Sequence, residues 1–358
     1  MTGAFLMGSV TARPIKVVAI TPGGAALARR VCEALPGAQC WLPRSQAGAG
    51  PEVKTFRRLS QVFQEAFRSR ENLVCIMAAG IVVRGIAPFL RSKDLDPAVV
   101  VLDEAGQFAV SLLSGHLGGA NDLARQVAQV LGGTPVITTA SDIRGLPALD
   151  LLATQLGLAI ENLAGVRGVQ MALLSGRPIR VVDPDGYLSG PLAHYPGLFT
   201  REPDLEAALV ARRPTVYVGF REGPWPEWWL VLRPRNLVAG VGCHQGTPAA
   251  EILDFIKATF KEEHLSLLSL KALATIAARQ EEPGLVEAAR SLGVELIWFT
   301  AAELEKIAVP HPSKQVGRHL GVESVSEAAA LKAGGVELIV PKRKAPNATL
   351  AVARVACR

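Results

Sequence analysis

Aromatic residues are scarce: Phe, Trp and Tyr make up 5% of the 358 residues, against 49% apolar residues in all. The cores are therefore aliphatic, as the buried faces of parallel sheets tend to be. Cysteine is sparse and unpatterned. Cys32, Cys40, Cys75, Cys243 and Cys357 are odd in number and form no C-x-x-C pair. That fits a reducing compartment and argues against a structural zinc. No apolar run reaches the ~18 residues of a membrane helix, and the N-terminus carries no secretory pattern. A soluble, cytoplasmic protein with no membrane partner is expected. H-E-x-x-H, Walker and G-x-G-x-x-G patterns are missing, so a protein-held metal or nucleotide is not expected. Zinc fingers, aromatic–basic RNA motifs and basic helices are missing too, which argues against nucleic acid. The 38 basic residues exceed the 32 acidic ones, giving +6, but the excess is spread along the chain. It suits a small polyanion, or plain solubility.

What is present is a recurring strand, glycine turn and helix. Ile15–Ile20, Thr21-Pro22-Gly23-Gly24 and Ala25–Leu35 form the first such unit, and Ala38–Leu42 the next strand. A small-residue loop at Pro43–Pro51 and an amphipathic helix at Phe56–Phe67 follow. Leu73–Ala78 reads as a strand and Gly80–Pro88 as a short helix. Ala98–Leu102 and Phe108–Leu113 read as a hairpin turning at Asp103-Glu104-Ala105-Gly106. From Leu146 the character shifts, and prolines become frequent between Pro191 and Pro234. Asn236 opens a third unit, with a strand at Leu237–Val241, a glycine turn at Gly242–Thr247 and a helix from Pro248. Further helices are expected at Ser313–Leu320 and Ser324–Ala333, and a closing hairpin at Val336–Lys342 and Thr349–Val355. The expected fold is α/β in three parts, with mostly parallel open sheets, flanking helices and a smaller mixed middle domain. The parts are residues 14–145, 146–235 and 236–358.

The chemistry concentrates in Ser114-Gly115-His116-Leu117-Gly118-Gly119-Ala120-Asn121-Asp122, where a buried strand becomes a helix. Free N–H groups at a helix start suit an anion or oxyanion, although a capped turn is the plainer reading. Hydrolysis needs a base, oxyanion donors and an acid. A free imidazole titrates near neutrality, so His116 is a candidate base or acid. The N–H groups of Gly118 and Gly119 are candidate donors, and Ser114 a binding or capping hydroxyl. Asp103 and Glu104 sit on a turn expected to face the glycine loop. Arg84 stands among apolar residues, and a buried or half-buried guanidinium needs a carboxylate partner, either an internal acid such as Asp103 or the ligand. Thr138-Thr139-Ala140-Ser141-Asp142 ends a strand on the edge where open sheets bind ligands. His244 lies beside Cys243, but adjacent side chains point apart, which disfavours a thiol–imidazole pair.

Four segments carry a family resemblance: Ala79–Pro88, Lys93 with Asp96–Glu104, Leu112–Asn121 and Val136–Asp142. Together they resemble the cobalt-precorrin-5A hydrolases, the CbiG-type proteins of anaerobic cobalamin biosynthesis. Gly240–Cys243, Gly246-Thr247, Glu282–Leu285, Ser324–Leu331 and Val340–Lys342 are similar to that family's C-terminal domain. The resemblance implies opening of a δ-lactone by water and expulsion of a two-carbon fragment as acetaldehyde, giving cobalt-precorrin-5B. The substrate is a cobalt-bearing macrocycle with many carboxylates, so the cobalt arrives with it and no further cofactor is implied. Neighbouring pathway methyltransferases are the implied protein partners, and a homo-oligomer is compatible. His116 and Glu104 become the catalytic candidates, and Arg84 and Lys93 the carboxylate clamps. Ser114, Gly115, Gly118, Gly119 and Asn121, with Gly242, His244, Gly246 and Thr247, are the remaining substrate-binding candidates. The chain departs from the pattern at His244 and Gln245, where basic residues are usual. It departs again at Ala277, where an acid is usual, and at Arg279, where a lysine is. The rival reading is a non-catalytic carrier that protects a corrinoid intermediate.

Overall fold

The structure, a computed structural model, describes residues 13–46, 53–92, 95–116, 118–311 and 324–356. The candidate Lys93 and the expected helix at Ser313–Leu320 lie outside the described residues. The chain forms two units, Met1–Gln155 and Leu156–Arg358. Among the described residues no helix is long and apolar enough to cross a membrane.

The first unit holds one seven-stranded sheet. Its strands are β1 (Ile15–Ala19), β2 (Ala38–Pro43), β3 (Val53–Phe56), β4 (Asn72–Ile76), β5 (Val99–Leu102), β6 (Phe108–Leu113) and β7 (Thr134–Val136). They lie in the order β3-β2-β1-β4-β5-β6-β7. Every neighbouring pair is parallel except β5 and β6, which form the expected antiparallel hairpin. Among the described residues, α1 (Pro22–Ala34), α2 (Leu59–Ser69), α3 (Ala79–Ile86) and α4 (Ala120–Leu131) flank the sheet. Alternation of side chains along the strands divides the core into two faces. Leu27 and Val31 of α1 and Leu123 and Val127 of α4 pack with Val17, Val74, Val100 and Ala109. Val62 and Phe63 of α2 and Val82 and Ile86 of α3 pack with Val18, Cys75, Val99 and Val101 on the other face.

Two local readings change. Pro22-Gly23-Gly24 is the first turn of α1 and not a free turn. Thr21 caps it by accepting the Gly24 N–H at 3.1 Å, and Pro22 occupies the position where no N–H is required. Residues 53–56 add a strand that the loop and helix reading passed over.

The second unit holds two five-stranded sheets. The first is built from β8 (Leu158–Ile160), β9 (Ile179–Val182), β10 (Phe199–Arg201), β11 (Thr215–Val218) and β12 (Leu230–Pro234), in the order β10-β9-β11-β12-β8. Trp225 stacks between Tyr217 at 4.3 Å and Trp229 at 5.9 Å, so this tryptophan cluster is local packing. Arg233 is fully buried, yet it is paired with Glu161 and donates to the carbonyls of Gly219 and Arg221, as a buried guanidinium requires.

The second sheet comprises β13 (Leu237–Cys243), β14 (Leu270–Ile276), β15 (Glu295–Phe299), β16 (Gly335–Lys344) and β17 (Ala348–Val355). Its order is β15-β14-β13-β17-β16, with the closing hairpin as expected. The helix Val325–Lys332 lies against β13 so closely that a Cβ on Gly240 would stand 1.9 Å from the Ser326 carbonyl oxygen and 2.8 Å from the Ala330 nitrogen. Both neighbours are backbone and cannot swing aside. Gly240→Ala is therefore expected to destabilise the second unit by about 1–3 kcal/mol, the usual cost of overpacking, read as a lowered thermal unfolding midpoint.

Candidate active site

The antiparallel turn of β6 decides where the candidates fall. Leu102, at the end of β5, pairs with Ala109 near the start of β6, and Val99 pairs with Leu113 at its end. The Asp103–Gly106 turn therefore lies at one edge of the sheet and the Ser114–Gly119 loop at the other. They are separated by six-residue β6, about 20 Å of strand. The expectation that Glu104 faces the glycine loop is corrected: a hairpin returns its second strand to the edge from which the first set out.

At the glycine-loop edge, β6, α4 and β7 form a parallel crossover, so the segments following β6 and β7 meet. His116 Nε2 lies 2.8 Å from Asp142 Oδ2, and the two side chains are 21% and 19% exposed. Asp142 is heavily engaged. Its Oδ2 also accepts the Asn121 amide at 2.9 Å, and its Oδ1 accepts Arg125 Nη2 at 2.7 Å. Arg125 binds Asp122 as well, at 2.8 Å, while the Ser111 hydroxyl donates to Asn121 Oδ1 at 2.7 Å. Ser141 Oγ stands 3.3 Å from His116 Nε2. Partial burial pushes the Asp142 carboxyl upward, but the hydrogen bonds and charges of Arg125 and His116 outweigh it, so the group sits below the usual carboxylate range. With a carboxylate on Nε2, the neutral imidazole carries its proton there, and Nδ1 keeps the lone pair.

The glycines serve the loop's own closure. A Cβ on Gly115 would meet Asn121 Oδ1 at 2.7 Å, and one on Gly118 would meet the Ser114 carbonyl oxygen at 2.7 Å. The N–H of Gly119 donates to the His116 carbonyl at 2.9 Å, that of Ala120 to Ser114 at 3.1 Å and that of Asn121 to Gly115 at 3.0 Å. The picture of amides at this junction awaiting an oxyanion is thus corrected for Gly119: the loop's own carbonyls have taken the helix-start donors. Ser114 sits in the left-handed region at φ 59°, and its buried hydroxyl finds no partner among the described residues. A serine held there is strained, and such strain gathers at functional sites.

At the opposite edge, Glu104 is exposed and accepts the Thr21 hydroxyl at 2.9 Å. Asp103 is consumed by its turn, accepting the N–H groups of Ala105 and Phe108. Arg84 is exposed on α3, and its Nη1 reaches back 3.3 Å to the Gly80 carbonyl. The expected buried guanidinium with a carboxylate partner is corrected, since α3 turns Ile81, Val83 and Arg84 outward and buries only Val82 and Ile86. Ends of β1 and β4, with the hairpin turn, enclose a trough of about 640 Å³ here.

In the second unit the Gly242–Thr247 turn is likewise satisfied from within the protein. Gly246 N–H donates to Glu282 Oε1 at 2.8 Å, and the Thr247 hydroxyl donates to the His244 carbonyl at 2.9 Å. Gly242 pairs with Thr349 across β13 and β17. His244 is exposed. Burial first, then the charge of Glu282, push the Cys243 thiol up to about 11, which leaves it a poor nucleophile. Gln245, Ala277 and Arg279, three of the departures from the family pattern, line one cavity of about 430 Å³ beside Glu282. Sequence reasoning missed Glu282 as the partner of Gly246 and Arg125 as the partner of Asp142. The latter pair carried a usable signal, because parallel β6 and β7 must bring their following segments to one edge.

The sequence matches three family descriptions in succession: Cobalamin synthesis G N-terminal at residues 61–142, Cobalamin biosynthesis central region at 147–234 and Cobalamin synthesis G C-terminus at 237–353. A cobalt-precorrin-5A hydrolase of Priestia megaterium is 34% identical over 354 residues, covering 95% of this chain and 94% of its own. Its counterpart in Salmonella typhimurium is 35% identical over 338 residues, covering 90% and 93%. A solved structure of a cobalamin biosynthesis protein G homolog from Sulfolobus solfataricus is 22% identical, covers 96% of this chain and 97% of its own, and superposes with a TM-score of 0.37. With two named relatives matched along nearly their whole length, the chain belongs to the cobalt-precorrin-5A hydrolase family of cobalamin biosynthesis.

Proposed function

We propose that this protein opens the δ-lactone of cobalt-precorrin-5A with water and releases the two-carbon fragment as acetaldehyde, with His116 as the general base. The observation that carries the assignment is the 2.8 Å contact between His116 and Asp142, where the segments following β6 and β7 meet. A base needs a lone pair aimed outward and a partner that fixes its tautomer. Asp142 supplies the second condition through Nε2, and this leaves the lone pair on Nδ1.

The steps balance without a redox partner. Water gives a proton to Nδ1 as its oxygen bonds to the lactone carbonyl carbon. The tetrahedral oxyanion collapses, the ring C–O bond breaks, and the proton passes from His116 to the departing alkoxide. This leaves a carboxylic acid and a free hydroxyl. Deprotonation of that hydroxyl then expels acetaldehyde: a C=O bond forms, the neighbouring C–C bond breaks, and its electron pair enters the conjugated macrocycle. On this reading the cobalt belongs to the substrate, and Asp142, Asn121 and Arg125 position the imidazole.

Support also comes from the engagement of Asp142. Arg125 and Asn121 hold it ionised and fixed, so the imidazolium formed in the first step is stabilised where it forms. Glu104 lies at the far end of β6, which separates it from the His116 step.

His116→Ala is expected to lower acetaldehyde release by about 10²–10⁴-fold, the range of general acid–base catalysis, with substrate affinity little changed. Asp142→Asn, which keeps shape but weakens tautomer control, is expected to lower it with Km near the wild-type value. A carrier would release no more acetaldehyde than a protein-free control, and unaltered turnover in His116→Ala would remove this residue from the chemistry. Asp142 also fixes a pH dependence. Its folded value is depressed, so its contribution to stability is present above the unfolded value, about 3.9, and lost as pH falls through the lower folded value. The stability difference between wild type and Asp142→Asn, followed by thermal unfolding from pH 6 to pH 2, is therefore expected to shrink below about pH 4.

A further inference from the structure

The trough at the Glu104 edge is not used by the chemistry above, and its position, lining and charges all bear on a ligand. It opens where strand order reverses: the chain leaves β1 toward β2 on one side and returns to β4 on the other. In open α/β sheets the crevice beyond the carboxyl ends of strands at such a switch point is the favoured place for a ligand. The volume of about 640 Å³ falls within the ~300–1,000 Å³ of small-molecule sites.

Its floor is apolar. Ile20, Met77, Ala79, Val101, Val110 and Val136 contribute, so the trough follows the sheet across β5 and β6 to β7. This is the face opposite α4, since Ala109 packs with α4 residues while Val110 points the other way. Helices α2 and α3 cover the β1 and β4 side of that face, but Val110, Leu112 and Val136 remain only partly buried and Phe108 is 49% exposed. Exposed apolar surface of this kind, continuous with a cavity, marks a binding surface. The lips differ in charge. On the α3 side the Arg84 guanidinium lies beside Gly80, next to the lining residues Ala79 and Ile81. At the hairpin lip stand Glu104, tied to Thr21, and Asp103, tied to its turn.

We infer that this trough seats the flat apolar face of the tetrapyrrole macrocycle along β6, with an acid side chain of the ring on Arg84. The assignment rests on the reading of the protein as a hydrolase of such a macrocycle. A ring with apolar faces and an acidic rim matches an apolar floor with a cation at one lip. Glu104 and Asp103 repel acid arms from the other lip, so the two lips together select one orientation. Phe108 and Val110 of β6 then form part of the bed on which the ring lies. Arg84 is a binding residue here, Glu104 an orienting one, and neither is required as the base.

The test is equilibrium binding of dicyanocobyrinic acid, a stable cobalt corrin that keeps its free carboxylates, to the full chain, with acetaldehyde release measured in parallel. Ala79 is exposed at the start of α3, so Ala79→Trp fills the trough without entering the core. Arg84→Glu reverses an exposed charge and leaves the fold intact. Both variants are expected to weaken binding at least tenfold, while His116→Ala binds as wild type does but fails to turn over. Unchanged binding in Ala79→Trp overturns the trough whatever Arg84→Glu does, and leaves the hydrolase reading standing if the wild type releases acetaldehyde. A wild type that neither binds the corrin nor releases acetaldehyde overturns both.

Discussion

The reversal of a single strand governs the first unit. Five of its seven strands, β1 to β5, run parallel to one another, but the tight turn at Asp103 sends β6 back, and β7 runs with it. Asp103 secures that reversal by accepting N–H groups from Ala105 and Phe108. Within this sheet β7 inherits the change of direction. The glycine loop, α4 and the segment after β7 gather at one edge, and the switch point between β1 and β4 opens at the other. A parallel β6 would have put His116 beside Glu104 and merged the two groups.

Within the glycine loop, backbone donors and acceptors are exchanged locally, and the loop holds His116 against Asp142. The three helix-start amides of Gly119, Ala120 and Asn121 close on the loop's own carbonyls. Gly246 repeats the pattern in the second unit, with Glu282 as an internal anion at its N–H. Burying a donor without an acceptor costs about 1–3 kcal/mol. A turn that satisfies itself is therefore more stable than one left waiting for a ligand, and it leaves side chains such as His116, not backbone amides, as the candidates for chemistry. Asp142 illustrates the consequence, since three separate donors converge on one carboxylate.

Much of this was legible in the residues, and the failures have physical causes. The β5–β6 hairpin could be read from Asp103–Gly106 between two apolar runs, but its effect on the placement of His116 and Glu104 depends on strand direction, which periodicity does not report. Ser114–Asn121 was legible as a strand-to-helix junction because glycine and small polar residues mark such places. Its self-closure was not, because it depends on which carbonyls curl back. Arg84 looked buried because its neighbours are apolar, yet an eight-residue helix at the edge of a face exposes some apolar side chains as a matter of course. Glu282 stands 36 residues from Gly246, and only the parallel pairing of β13 with β14 brings them together. The strand at 53–56 is short, at a sheet margin, and close to Pro51, so no local pattern distinguished it.

The last strand of the first sheet, β7, has three residues, Thr134, Pro135 and Val136, and it lies at the border of the half-covered face. Proline brings no amide hydrogen to a ladder, and three residues offer few others. A foreign strand arriving there would find an incomplete row of partners. The molecule can thus keep a greasy sheet surface partly uncovered while denying the adjoining rim to another polypeptide, which separates exposure of apolar surface from the tendency to polymerise.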